Sequence, residues 1–282
     1  MLTIPSHRAA TLILCILCGI LQGCTTNTAP VPDKPIPASV PPPQSLPRST
    51  PEATERETAR WLLGSTNITI EVGKAGRLAR LGHNHIVHSA EVTGQLAINS
   101  EKQLIAELSV PVMSLTVDNP EQRAIHATRD PQRYASKPTA QQIEGTRKNM
   151  LGRRVLNAQS YTTIVAQASA PADQLLQELA HTEQTDELHQ LPIKIRTEIA
   201  GHSADMRVQL TWQNKGDRLL WRSEFKVTHE QLGLTPFSAL AGALSVAQEL
   251  GISLAGEIDL TQAPEFLTEI KTTRRLNQAE ET

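Results

Sequence analysis

Three closely spaced histidines, in the segment His83-x-His85-x-x-His88, could do chemistry together. On an extended strand His83 and His85 point to the same side, where two neutral imidazoles can bind zinc or copper. His88 points to the opposite face of the strand, so it cannot join such a site unless a β-bulge intervenes. His229 is a candidate ligand from a distant strand. The competing interpretation, which we favour, is a turn whose imidazoles bond to the backbone or to the polar head of a ligand.

Other catalytic chemistry finds little support in the sequence. Cys15, Cys18 and Cys24 are the only cysteines, so the chain after residue 24 has no disulfide, no thiol nucleophile and no Cys-bound metal. The chain has no Gly-x-Ser-x-Gly elbow, and residues 73–76 lack the spacing of a nucleotide-binding loop. We therefore predict that the protein is not an enzyme and holds no cofactor.

The charge balance argues against a nucleic-acid partner. The chain has 27 Lys and Arg against 29 Asp and Glu, which gives a formal net charge of −2. A general binder of nucleic acid carries a clear excess of positive charge. Aromatic residues make up only 3% of the chain, so side chains on which bases could stack are few.

The N-terminal residues have the pattern of a targeting signal. The apolar run 9–21 is too short to span a bilayer and ends in Leu21-Gln22-Gly23-Cys24, which resembles the bacterial lipobox. This predicts that residues 1–23 are a lipoprotein signal peptide and that Cys24 becomes diacylated and holds the protein to a membrane. By the same resemblance Thr25, which is not Asp, favours the outer membrane. The alternative is an ordinary secretory signal in which Cys24 is incidental.

A proline-rich segment follows this signal. Nine of the 18 prolines lie between Pro30 and Pro51. Such a composition stays extended and semi-rigid, so residues 24–58 are predicted to be a tether that holds a folded domain off the membrane. The folded domain is predicted to cover residues 59–276, with a short tail at 277–282. We expect this domain to face the periplasm.

Apolar residues alternate with polar ones from Thr66 onward, and this period of two predicts eight amphipathic strands. The strands are predicted at 66–72, 86–98, 104–112, 161–168, 192–200, 205–213, 218–228 and 252–260. Eight one-sided antiparallel strands must close or stack to hide their apolar faces and free edges. The prediction is an all-β, eight-stranded antiparallel barrel, which can hold one small ligand. A two-sheet sandwich is the competing architecture.

Turns and two helices complete the predicted domain. Hairpin turns are expected at 99–102 and at 214–217, where Gly216 allows a positive φ. Helices are expected at 141–155 and at 237–250, the second opened by Thr235-Pro236. An exposed acidic insertion, 172–190, is expected to include a short helix near 173–179.

Several motifs together resemble the YceI-like family of lipid- and polyisoprenoid-binding periplasmic proteins. The resembling pieces are Gly82-His83-Asn84-His85, Val112-Met113-Ser114-Leu115 with Asp118, Ile143-Glu144-Gly145-Thr146 with Asn149-Met150, Val155-Leu156-Asn157-Ala158, Ile199-Ala200-Gly201-His202 and His229 with Gln231-Leu232-Gly233-Leu234. They span about residues 66–260. The resemblance implies a lipocalin-like barrel that encloses an isoprenoid chain.

The function that follows from these expectations is binding or carriage of an apolar isoprenoid- or quinone-like lipid at the bacterial envelope. His83, Asn84 and His85 are expected at the barrel mouth, where they would hold the polar head of the lipid. The lumen is expected to be lined by Leu96, Leu108, Leu210, Trp221, Phe225 and Leu254. A metal-binding or metal-dependent protein that uses His83 and His85 stays open, as does an interaction module with a filled barrel.

One segment departs from the overall charge balance. Residues 121–154 contain eight cations and three anions. We expect a solvated loop and helix there. The alternative is a basic collar that attracts anionic headgroups or an isoprenoid diphosphate at the barrel entrance.

Overall fold

The computed structural model describes residues 59–99, 101–173 and 187–262. The expected signal peptide, the tether, the tail and nearly all of the expected helix near 173–179 lie outside these ranges. The β-strands are β1 (Ala59–Leu62), β2 (Thr66–Ala75), β3 (His85–Ile98), β4 (Gln103–Pro111), β5 (Thr116–Val117), β6 (Thr163–Pro171), β7 (His189–Ile199), β8 (His202–Asn214), β9 (Arg218–Thr228), β10 (Ser238–Ala239) and β11 (Leu244–Asp259). The α-helices are α1 (Pro120–Arg129), α2 (Pro131–Tyr134) and α3 (Ala140–Leu151). None of these helices is long and apolar enough to cross a membrane.

Eight long strands form one closed barrel. They pair in the order β3-β2-β11-β9-β8-β7-β6-β4, and β4 pairs again with β3, which joins the two ends of the sheet. Each of these pairings is antiparallel. The predicted all-β, lipocalin-like barrel of eight antiparallel strands is therefore confirmed, and the two-sheet sandwich is excluded.

Three short strands, which the sequence did not predict, extend this barrel. β1 pairs with the end of β3, where it continues the line of β2. β5 pairs with the start of β3 and continues the line of β4. β10 pairs with the start of β11. As a result β3 is paired along one edge with β2 and β1 over almost its whole length, and along the other edge at 87–88 with β5 and at 93–98 with β4.

The two predicted hairpin turns are confirmed. At 99–102 the Asn99 side chain accepts hydrogen bonds from the backbone N–H groups of Glu101 and Gln103. At 214–217 Gly216 has a φ of +79°, a conformation that costs little energy only for a residue without a Cβ. These turns join β3 to β4 and β8 to β9, at one and the same end of the barrel.

One predicted helix is nearly correct. Helix α3 begins after Thr139, whose side chain forms a capping box with Gln142, and it ends at Leu151 rather than at residue 155. Helix α1 lies inside the basic segment 121–154 and was not predicted separately. The Asn119 side chain caps it, and Pro120 stands at its first position.

The helix predicted at 237–250 is wrong. This segment contains β10, a tight turn at Leu240–Gly242 and the first residues of β11. Leu240 and Ala241 both have a φ of +52° and Gly242 has +85°, which a right-handed helix cannot accommodate. The apolar spacing here fits a helix, but pairing with both β2 and β9 gives the backbone of β11 its hydrogen bonds in a strand.

Strand direction defines two ends of the barrel. The capped end carries the connections 76–84, 112–162, 200–201 and 229–243, which include all three α-helices. The hairpin end carries the turns 99–102 and 215–217, and β6 ends and β7 begins there. Residues that share a row across the sheet can therefore be placed nearer to one end or the other.

Gly94 in β3 allows neighbouring chain segments to approach closely. A Cβ at this position would lie 2.5 Å from the Glu107 carbonyl oxygen and 2.9 Å from side-chain atoms of Leu63 and Leu108. We expect Gly94→Ala to lower the free energy of unfolding by about 1–3 kcal/mol, because the backbone of β4 must move. Urea unfolding measures the change.

Gly145 in α3 provides the matched control. A Cβ there would meet no atom within 4 Å, so Gly145→Ala is expected to raise stability by about 0.5–1 kcal/mol through helix propensity. Equal effects of the two substitutions would contradict the close approach at Gly94.

Candidate functional site

An apolar cavity of about 80 Å³ lies inside the barrel, in the half nearer to the hairpin end. This is several times the space that one buried water requires. The cavity is lined by Leu63, Leu96, Leu104, Ala106, Leu108, Ala166, Ala168, Ser169, Ile193, Ile195, Leu210, Trp212, Leu219, Trp221, Ser223, Leu254 and Ile258. Only two of these side chains carry a hydroxyl group, and none carries a charge. The cavity therefore suits an apolar ligand.

Most of the expected lumen residues meet at this cavity. Its lining includes Leu96, Leu108, Leu210, Trp221 and Leu254. Phe225 is not part of the lining. It lies four residues beyond Trp221 along β9, towards the capped end, and is half-buried against the core.

The half of the barrel nearer to the capped end is filled by side chains. Buried residues there come from the strands and also from the connections that cross this end. They include Val110, Val112, Leu115, Val117, Leu156, Ile199, Val227, Leu232, Leu234 and Leu250. The barrel thus has one hollow half and one filled half.

Trp221 carries an unpaired donor at the cavity. Its side chain is buried, with 8% exposed, and its indole Nε1 has no hydrogen-bond partner among the described residues. A Cβ on Gly256, the residue opposite Trp221 in the sheet, would lie 2.8 Å from the indole ring. Glycine at 256 therefore makes room for the ring. An unmet buried N–H costs about 1–3 kcal/mol, so its retention requires an explanation.

The structure does not bring His83, Asn84 and His85 to this cavity. They lie at the capped end, whereas the cavity lies in the other half of the barrel. His83 Nδ1 is 3.4 Å from the hydroxyl of Ser136. Asn84 accepts a hydrogen bond from the Lys74 backbone and donates one to the Arg133 carbonyl. These contacts tie the β2–β3 connection to the helical cap.

Asp118 is the centre of a buried polar cluster at the capped end. One of its carboxylate oxygens lies 2.6 Å from His85 Nδ1, and the other accepts hydrogen bonds from the Arg123 guanidinium, at 2.6 Å, and from the Ile86 backbone. Arg123 also donates to the backbone carbonyls of Asn84 and Ser136. The cluster thus fastens helix α1 to the start of β3.

The electrostatics of Asp118 follow from these partners. Its side chain is fully buried, and burial alone would raise its pKa. The hydrogen bonds from His85 and Ile86, with the charge of Arg123, outweigh burial and hold the pKa below its usual value. Asp118 also has a φ of +51°, a left-handed conformation that the cluster holds in place.

A second cluster surrounds Glu71 on β2. The hydroxyl of Tyr134 donates to its carboxylate at 2.8 Å, His126 Nδ1 lies 3.4 Å away, and Arg133 forms an ion pair with it. Burial and the hydrogen bond to Glu71 raise the pKa of Tyr134 above its usual value. This cluster fastens α1 and α2 to the barrel wall, as the first one fastens α1 to β3.

The histidines do not form a recognisable metal centre. The rings of His83 and His85 lie 6.3 Å apart, and His85 is already bonded to a carboxylate that Arg123 shares. His88 is bonded to Thr69, and His229 to the Gln248 carbonyl. In the described ranges no group of three or more His, Cys, Asp and Glu residues could hold a metal ion.

Asp118, His85 and Thr146 lie in the order carboxylate, imidazole, hydroxyl that hydrolases use. The Thr146 hydroxyl is 3.4 Å from His85 Nε2. However, Thr146 is in the interior of α3, where backbone N–H groups bond to carbonyls one turn earlier and cannot stabilise an oxyanion. The contacts therefore position α3 against the barrel and do not form a hydrolytic site.

Sequence reasoning did not identify the residues that hold the cap. Asp118 appeared only as part of the family resemblance, while Glu71, Arg123, His126 and Tyr134 were not singled out. Asp118 and Arg123 are five residues apart in the chain, but His85 and Asp118 are separated by 33 residues and Glu71 and Tyr134 by 63. The one local signal was His126 beside Arg123, three residues apart and thus on one face of a helix.

Comparison with known proteins gives matches of fold only. No protein-family model matches the chain. No curated protein matches it either. Several solved structures are similar at low identity, among them the three that follow, and they concern the fold alone.

The first of these structures is a polyisoprenoid-binding domain from Saccharophagus degradans implicated in plant cell wall breakdown. It is 12% identical, with a TM-score of 0.46 over 74% of this chain and 100% of that one. BcnA from Burkholderia cenocepacia is 10% identical, with a TM-score of 0.42 over 68% and 95% of the two chains. A mutant CJ YceI protein for nanotechnology applications is 9% identical, with a TM-score of 0.38 over 61% and 83%.

Acid is expected to destabilise the folded protein through its buried histidines. Burial lowers the pKa of His83, His88, His126 and His229 below the ordinary value of 6.5. Below that pH the unfolded chain binds protons that the folded chain does not. The free energy of unfolding should therefore keep its full value above about pH 6.5 and decrease as the pH is lowered towards about 5. Urea unfolding at a series of pH values measures this slope.

His229→Gln tests one contributor, because its amide can still donate to the Gln248 carbonyl. The variant should show a shallower loss of stability between about pH 7 and 5. A slope identical to that of the unsubstituted chain would contradict the role of His229.

Proposed function

We propose that this chain binds or carries an apolar lipid of the isoprenoid or quinone class in the hollow half of its barrel. The observation that carries the proposal is the cavity, which is enclosed by the barrel wall and lined almost entirely by aliphatic and indole side chains. Each Å² of apolar ligand surface that leaves water for such a lining contributes about 25 cal/mol. No charged side chain of the lining has to lose its hydration first.

The cavity is narrow compared with a long lipid chain, so the lining must yield when the ligand enters. Leucines form much of the lining, and their side chains can change rotamer at modest cost. Ala106, Ala166 and Ala168 leave space between them on β4 and β6. This wall can therefore widen without a break in the strand pairing.

The unpaired donor of Trp221 favours a ligand that carries an oxygen acceptor. A purely hydrocarbon chain would leave Nε1 unmet, whereas a quinone carbonyl or an ester oxygen could accept its hydrogen bond. Within the proposed class, an isoprenoid with such an oxygen therefore fits the cavity better than a plain hydrocarbon.

We further propose that the chain is a YceI-like protein attached to the periplasmic side of the bacterial outer membrane. The motifs between residues 66 and 260 and the eight-stranded barrel support the family. The lipobox-like tetrad that ends in Cys24 supports a signal peptide and a diacyl anchor. We infer no enzymatic activity, because in the described ranges the series Asp118, His85 and Thr146 receives no oxyanion donor from the α3 backbone.

The alternative function is metal binding through His83 and His85, whose rings are neighbours at the capped end. Native mass spectrometry of the protein made in a bacterial envelope distinguishes the two. Lipid that co-purifies with the protein supports the first function. Stoichiometric zinc without lipid supports the second and would refute carriage.

Filling the cavity should abolish lipid binding. Ala166→Leu together with Ala168→Leu adds six carbon atoms to the lining, so we expect the co-purifying lipid to be lost while the barrel stays folded. Ala90→Leu with Ala124→Leu adds the same atoms on the exposed outer surface and should keep the lipid. Native mass spectrometry measures the lipid that co-purifies with each variant. Circular dichroism checks that both variants are folded. Equal lipid content in the two would contradict the cavity as the binding site.

Trp221→Phe tests the acceptor on the ligand. Loss of one hydrogen bond should weaken binding of a short-chain ubiquinone about fivefold and leave binding of squalene unchanged. Trp212→Phe is the control, since Trp212 also lines the cavity but its indole N–H is not a buried donor without a partner. Competition between the two probes in native mass spectrometry measures the ratio. An equal effect of both substitutions on both probes would rule out a specific contact with Trp221.

A further inference from the structure

Three chain segments come together at the capped end. The β2–β3 connection and the turn before β11 are joined by a hydrogen bond from Leu78 N to the Ala243 carbonyl at 2.8 Å. The same connection touches the segment after α2, where His83 meets Ser136. These segments, 72–84, 131–143 and 231–248, form one continuous surface.

This surface carries a group of exposed cations. The three segments contain five cations and no Asp or Glu, while acidic residues flank them in the chain, at Glu71, Asp130, Glu144, Glu230 and Glu249. Arg133 is paired with Glu71. The remaining cations, Lys74, Arg77, Arg80 and Lys137, are exposed, and none of them has a carboxylate partner in the described ranges. Lys74 Nζ donates only to the Gly82 carbonyl.

Two large apolar side chains project from the same surface. Leu81 is 57% exposed and Leu240 is 64% exposed, on the two segments that the Leu78–Ala243 hydrogen bond joins. Leu240 and Ala241 occupy left-handed backbone conformations, which are costly for residues with a Cβ. A strained turn that holds a leucine in water is typical of a contact site.

We propose that the capped end docks on an anionic lipid surface through a docking rim made of Lys74, Arg77, Arg80, Leu81, Lys137 and Leu240. Exposed cations that have no carboxylate partner attract anionic headgroups. The two leucines can enter the boundary between headgroups and acyl chains, as the apolar side of a membrane-surface helix does. The rim shares no residue with the lining of the cavity, so the inference does not depend on the proposed ligand. Docking in this way turns the hollow half of the barrel away from the bilayer.

A chain that begins at Thr25 tests the rim without an acyl anchor. All described strands lie after residue 58, so this chain keeps the complete barrel. Co-sedimentation with phosphatidylcholine vesicles, with and without phosphatidylglycerol, measures the partition coefficient. We expect binding only to the vesicles that contain phosphatidylglycerol. Because Debye screening shortens the reach of surface charges, this binding should weaken as salt is raised.

Two variants divide the charged contribution from the apolar one. Arg77→Gln, Arg80→Gln and Lys137→Gln together should lower the partition coefficient about 100-fold. Leu81→Ser with Leu240→Asn should remove the part of the binding that resists salt, and Asn tolerates the left-handed conformation at 240. Circular dichroism and thermal unfolding check that each variant is folded.

The matched control removes three exposed cations from the barrel wall, through Lys194→Gln, Arg207→Gln and Arg222→Gln. It changes the net charge equally and should leave most of the binding intact. If it lowers the partition coefficient as much as the rim variant does, net charge rather than the rim is responsible and the proposal fails. It also fails if vesicles do not bind and sedimentation instead shows a dimer that the rim variant disrupts, because a second copy then covers the surface.

Discussion

The pairing of β4 with β3 is the contact on which the rest of the structure depends. It joins the first and last strands of an eight-strand series and so converts an open sheet into a barrel. Without it, two strand edges and the apolar inner face of the sheet would be exposed to water. The long β3 makes closure possible because β2 with β1 and β4 with β5 share its two edges. Gly94 stands where these elements crowd together, and a side chain there would push them apart.

Closure alone does not decide whether the inside is hollow. At the capped end the connections carry Leu115, Leu156, Leu232 and Leu234 into the interior and fill it. At the hairpin end the connections that the structure describes are short turns, and small residues such as Ala106 stand in the wall. The cavity therefore arises from an uneven distribution of side-chain volume between the two halves. The polar side chains of the cap lie at the other end of the barrel and do not border it.

The cap is held by charged clusters as well as by apolar packing, one around the fully buried Asp118 and one around Glu71, whose side chain is 35% exposed. Asp118 and Glu71 each bind one histidine and one arginine, and together they fix α1, α2 and the start of β3. A buried pair that loses one partner leaves an uncompensated charge, which is costly. Such clusters therefore specify one position for the cap. The exposed cations Lys74, Arg77, Arg80 and Lys137 of the neighbouring segments take no part in these clusters and have no carboxylate partner in the described ranges.

The sequence by itself determined the eight long strands, because the alternation of apolar and polar residues can be read from adjacent residues, whichever strands pair with them. It also determined the two hairpin turns and the capped start of α3, where Asn99, Gly216 and Thr139 act on adjacent backbone groups. Only the tertiary structure decided that residues 237–250 form a turn and a strand, since β2 and β9 supply the hydrogen bonds that overrule the helical spacing. Only the tertiary structure decided which inward side chains line the cavity. The alternation along β9 places Phe225 and Trp221 on the same face, but it does not predict which end of the barrel is filled by other side chains. The partners of Asp118 and Glu71 were likewise beyond sequence reasoning, because long-range contacts leave no periodic trace in the chain.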